Sequence, residues 1–233
     1  MKPLFKKLII ITSVSLLIIT IGYFLVFWYI NVAWEIRHSG KIASIKEKVE
    51  IGLDYPANFS ELIDTIRPST RSMNSMYFEK IFCTLYGMNR YPRRDGAGYM
   101  YYSEEVLEIL KRQTYTHQKW TNLFDEKMIF AIGLEKQLTP KEIESYYFTN
   151  RIASIKQENS TYIECKGIRE VAKIKFNKPI EDLTISELIG IYVLFDAHTI
   201  LYQENDEKYQ DRVKMFERIL DSYRTGYRKV LKY

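Results

Sequence analysis

Residues 8 to 34 contain no charged side chain, and that run constrains the fold more than any other feature. Its core is LIIITSVSLLIITIGYFLVFWYI, residues 8 to 30. At about 1.5 Å per residue a helix of this length reaches roughly 35 Å, enough to cross a hydrocarbon layer of about 30 Å. The run is long for a cleaved signal sequence. It ends in Phe27, Trp28 and Tyr29, without a small-residue cleavage site. Those aromatics, with Trp34, suit a membrane–water interface. Lys2, Lys6 and Lys7 favour an amino terminus held in the cytoplasm, whereas Arg37, Lys41, Lys46 and Lys48 on the far side weigh against it. The expectation is a single pass through the cytoplasmic membrane with the carboxy-terminal domain outside the cytoplasm. A cytoplasmic stub and transmembrane helix would occupy residues 1–36, a stalk 37–57 and a helical domain 58–233.

The remainder is long enough for one domain with its own core. The net charge of +5 in 233 residues is too mild to require nucleic acid, and it suits a membrane face rich in anionic lipid. Cys83 and Cys165 are the two cysteines. They read as buried thiols, with pairing as the alternative if the domain is extracytoplasmic. There is no CxxC and no cluster of His and Cys, so neither a structural metal nor a cofactor is expected. His38, His117 and His198 are scattered and form no readable catalytic set.

Helical periodicity dominates the rest. Helices are expected from near Asn58 or Ser60 to Ile66, since Pro68 discourages helix at Arg67 and ends the run, and over 104–113, 123–137, 139–149, 167–176, 184–195 and 207–231. Tyr77, Ile81, Phe82 and Leu85 share a helical face. NRYPRRDGAGYMYY, residues 89 to 102, reads as a loop, and NSTYIECK, residues 159 to 166, as a short strand. Thr139 with Glu142, and Thr184 with Glu187, have the spacing of capping boxes. Leu138 with Ile143, and Leu183 with Leu188, flank them as hydrophobic staples. The segments 139–149, 167–176 and 184–195 should pack together and bury Ile143, Tyr147, Ala172, Phe176, Leu188 and Ile191. The class is mainly α.

GIREVAKIKFNKPIEDLTISELIGIYVLF, residues 167 to 195, resembles the carboxy-terminal part of the peptidoglycan glycosyltransferase domain, the transglycosylase domain of class A penicillin-binding proteins. Gly167 and Ile168, Val171 and Ala172, Lys175 and Phe176 with Lys178, then Leu183, Thr184 and Glu187, stand at the family's spacing. Upstream, Glu135, Leu138-Thr139-Pro140, Glu142-Ile143-Glu144-Ser145 and Tyr147-Phe148-Thr149 match more loosely. Arg212 before Met215 and Phe216 resembles the family's late arginine. The likeness covers about residues 124 to 220. It implies a lysozyme-like helical domain behind a membrane helix, acting at the cell envelope on a lipid-linked cell-wall precursor.

The first half departs from that family. Where the resemblance puts a catalytic Glu-Asp, this chain reads DTIRPSTRS, residues 64 to 72, and a second family Glu falls at Lys127, beside Glu126. The acceptor hydroxyl of the family's reaction needs a carboxylate base within hydrogen-bond reach, and the leaving diphosphate needs cationic donors or a metal. Glu126 is the candidate base, one position and about 100° of helix rotation away. Arg90, Arg93 and Arg94 are the candidate lipid- or phosphate-binding residues, with a solvated basic loop as the plainer reading. The expectation is a membrane-anchored, catalytically degenerate binding or scaffold subunit whose partners are membrane lipid, a lipid-linked precursor or envelope proteins. A divergent, active glycosyltransferase and an unrelated helical interaction protein stay open as alternatives.

Overall fold

The computed structural model describes residues 3–66, 99–114, 126–156, 161–196 and 206–224. In chain order these form α1 (Pro3–Ile51), α2 (Ala57–Ile66), α3 (Tyr99–Thr114), α4 (Glu126–Gln137), α5 (Pro140–Asn150), β1 (Ile152–Lys156), β2 (Tyr162–Lys166) and α6 (Gly167–Phe176). A 3-10 turn (Ile180–Asp182), α7 (Ile185–Asp196) and α8 (Asp206–Arg224) follow. The described residues are mainly helical. Tyr77, Ile81, Phe82, Leu85, Cys83 and residues 89–98 lie outside them; Tyr99–Tyr102, expected as the end of a loop, instead open α3, where the chain turns helical before Ser103.

Helix α1 is long and apolar enough to cross a membrane, and two regimes divide it. From Ile9 to Tyr29 most of its large apolar side chains are exposed, while Tyr23 and Val26 are partly buried. Beyond Asn31, Glu35, Arg37, Lys41, Lys46, Glu47, Lys48 and Glu50 exclude hydrocarbon, and burial follows a narrow stripe through Trp34, His38, Ile42 and Ile45. The part apolar enough to cross a membrane is therefore the early, uncharged one. The segment read as a stalk from residue 37 continues the same helix to Ile51 and contributes to the core. Gly52, with φ +102°, ends it.

The stripe lands on α4, whose residues from Met128 to Leu134 are almost all fully buried. A helix apolar all round must be enclosed, and α1, α3 and α5 supply neighbours. Gly133 lies close against α1. A Cβ there would lie 2.8 Å from Trp34 Cβ and 2.7 Å from Ile42 Cδ1.

The second half is built from the capped segments. Thr139 caps α5 with the full capping box. At α7 the Thr184 amide donates to Glu187 Oε2 at 2.8 Å, and the Glu187 amide returns a bond to Thr184 Oγ1 at 3.3 Å. β1 and β2 form an antiparallel hairpin in the register Ile152↔Lys166 to Lys156↔Tyr162, which turns Ala153, Ile155 and Cys165 inward. β1 has no counterpart among the expected strands. Helix α6 ends on Asn177 in the left-handed conformation. Helices α5, α6 and α7 meet as expected, with Ile143, Tyr147, Ala172, Leu188 and Ile191 buried. Phe176 is half-buried at their edge. Tyr147 crosses to α7 and donates to Phe195 O at 3.0 Å. Cys165 is a buried free thiol.

Candidate functional site at the anchor–domain joint

Three ionisable side chains meet where α1 leaves its apolar run. Glu126 opens α4 and is 6 % exposed. Arg37 Nη1 donates to its Oε1 at 2.9 Å, and His38 Nε2 lies 2.6 Å from its Oε2. Both carboxylate oxygens are thus engaged by α1. Arg37 also donates from Nη2 to the Tyr29 hydroxyl at 2.6 Å, tying the cluster back to the aromatic end of the apolar run. At the other end of α4, Lys136 Nζ donates to Asn31 O at 3.2 Å and sits over the Trp34 ring. The two ends of one short helix therefore clamp the same stretch of α1, with Gly133 between them.

His38 is almost wholly buried, with Phe130 edge-on to its ring. With Nε2 donating to Glu126, Nδ1 is left as an acceptor with no hydrogen-bond partner among the described residues. Burial holds the imidazole pKa below its ordinary value. Glu126 works in the opposite direction, and the positive charges of Lys41 and Arg37 reinforce the burial. At neutral pH the site is a neutral imidazole beside an Arg–Glu ion pair.

A second polar cluster locks the segment after α1 to α5. Tyr55 donates to Glu144 Oε1 at 2.7 Å, and Lys141 Nζ reaches Glu144, Asp64 and Ser60 Oγ. Glu144 is 6 % exposed, and burial raises its carboxyl pKa against the pull of Tyr55 and Lys141.

Glu126 is thus the one sequence candidate placed in the joint. Arg90, Arg93 and Arg94 lie outside the described residues. Gly167 is a backbone corner of positive φ between β2 and α6. Lys178 pairs with Glu187 at 2.7 Å at the start of α7, and the Arg212 guanidinium stacks over Phe216 on α8. Those roles belong to the packing of α6, α7 and α8, away from the partners of Glu126. Lys127 faces α3, within salt-bridge distance of Glu105 and Glu108. A nearby cleft is lined by Glu105, Glu108, Ile109, Arg151 and Ile152.

Sequence reasoning passed over Arg37 and His38. The available signal was the stripe Trp34, His38, Ile42, Ile45, Val49, whose spacing is that of one helical face. No protein-family model, curated protein or solved structure matches this chain.

Proposed function

We propose that this chain is a single-pass membrane protein whose helical domain lies outside the cytoplasm and acts as a binding or scaffold subunit of the cell envelope, without glycan-polymerising chemistry. The observation that carries the reading is the joint. A helix with an exposed apolar half continues unbroken into the domain, and the candidate base Glu126 has both oxygens engaged by that helix. A domain fastened this way moves with its anchor and holds whatever it binds at a fixed height above the bilayer. The likeness of residues 124 to 220 to the transglycosylase domain supports the cell-envelope setting and a lysozyme-like lobe as part of the proposal. Membrane lipid, a lipid-linked precursor and envelope proteins are the partners it implies.

Two measurements test this reading. Protease added to spheroplasts should remove the domain, and full protection behind an intact membrane would reverse the orientation. Purified protein given lipid-linked disaccharide, with and without divalent metal, should yield no glycan chains. Chains that appear with the wild type and vanish with Glu126→Gln would replace the scaffold reading with the divergent glycosyltransferase.

A further inference from the structure

We propose that Arg37, His38 and Glu126 form a pH-operated latch between the anchor helix and the domain, in which a proton on His38 loosens α1 from α4. The proposal concerns regulation of the joint and rests on the reading of α1 as an anchor for its biological consequence. The geometry makes His38 the responsive member. Its ring is enclosed against α4. Nε2 is already committed to Glu126, and Nδ1 has no partner among the described residues. A proton can arrive only at Nδ1, where it becomes a buried donor without an acceptor, which is costly. The charges around the ring oppose it as well. Glu126 on α4 is the acidic group facing the ring, and Arg37 already pairs with it. Lys41, one turn further along α1, adds a second positive neighbour. An Arg–Glu pair is close to neutral, so the proton leaves a net positive charge in a site shielded from water.

The sign follows from linkage. In the closed joint His38 binds a proton less readily than an exposed imidazole, whose ordinary value is about 6.5. The open joint therefore takes up the proton first as pH falls. Opening becomes easier below about pH 6.5, by up to about tenfold per pH unit for the one proton involved, until the closed form is protonated too. Above that pH the latch is fully set. Mildly acidic surroundings on the domain's side of the membrane would free the domain to swing on its anchor.

Hydrogen–deuterium exchange on the full chain in detergent micelles tests this, with rates corrected for the intrinsic pH dependence of exchange. Amides of α4 and of α1 from Trp34 to Val49 should open several-fold to tenfold more readily at pH 5.5 than at pH 7. His38→Gln keeps an amide donor for Glu126 but cannot titrate, so its profile should be flat. An unchanged wild-type profile overturns the latch, and so does a His38→Gln profile that follows the wild type, because the response then belongs to Glu126 or another carboxylate. If His38→Gln does not fold, an NMR titration of the wild-type His38 ring decides. A midpoint below about 6.5 supports the latch and one at or above that value refutes it. None of these readouts requires a bilayer, so a failed latch leaves the topology untouched and a reversed topology leaves the exchange profile standing.

Discussion

Gly167→Ala should be among the most damaging single-methyl additions to this domain, and the structure supplies the magnitude. Gly167 joins β2 to α6 at φ +73°, in the left-handed region that an L side chain enters at a cost of about 1–2 kcal/mol. Its amide donates to Arg151 O at 2.8 Å, which draws the corner onto the end of α5. A Cβ would lie 2.5 Å from Thr149 O and 2.9 Å from Thr149 C. Both are backbone atoms, so no rotamer change relieves the contact, and forcing a methyl into packed structure adds about 1–3 kcal/mol. Stiffening the unfolded chain returns about 0.4–1 kcal/mol. The balance is a loss of about 1–5 kcal/mol, centred near 3 kcal/mol, or roughly 2–18 °C in Tm for a domain of this size.

The assay is thermal unfolding followed by circular dichroism in detergent, with Gly52→Ala as the control. Gly52 also has positive φ, at +102°, but a Cβ there meets nothing within 4 Å. Its substitution carries the backbone cost without the clash and should lose less than about 2 kcal/mol. A Gly167→Ala protein within about 2 °C of wild type, or one less affected than Gly52→Ala, would refute the reasoning.

At the joint, Gly133→Ala should destabilise by about 1–2 kcal/mol even though Ala favours helix by about 1 kcal/mol, because Trp34 Cβ cannot rotate away. Gly40→Ala, in open space on α1, should stabilise by up to about 1 kcal/mol. Denaturant titration of both variants checks the opposite signs. Glu187 is held down to about 2 by Lys178 and by the Thr184 amide and hydroxyl. Its folded value lies below the ordinary carboxyl range, so its stabilisation is complete above about pH 4.5 and is lost as pH falls toward 2. The Tm gap between wild type and Glu187→Gln should therefore be fully open at pH 5 and above and should close on acidification. A gap independent of pH would sink that assignment.

Helix starts were readable because their chemistry is local. Thr139, Pro140 and Glu142 declare an N-terminus within four residues, and the 167–176 segment ends where Asn177 accepts a left-handed backbone. The hairpin was half readable. Its second strand carries Tyr162 and Ile163, whereas IASIK of the first mixes small and polar residues, and its pairing is settled by the partner strand rather than by its own pattern. The joint was not read because its members are 88 and 89 residues apart. A lone histidine and a lone arginine after a long apolar run carry no mark of a distant carboxylate. What could be read was the stripe from Trp34 to Val49, and it says that this face is buried without saying against what.

The one-residue offset at Glu126 bears on the choice between scaffold and enzyme. Successive helical residues differ by about 100°, so Glu126 and Lys127 point to different neighbours. Lys127 faces the carboxylates of α3, and Glu126 faces Arg37 and His38. A general base must bring a free oxygen to within about 2.6–3.2 Å of the hydroxyl it deprotonates. With both oxygens of Glu126 engaged, the side chain serves the joint or acts as a base, but not both in one conformation. Any activity dependent on Glu126 would then require the latch to open, so it should be weakest at neutral pH and should rise as His38 takes up a proton. His38→Gln should abolish that rise by keeping the latch shut. Polymerisation at neutral pH that is indifferent to His38 would place the base elsewhere in the chain.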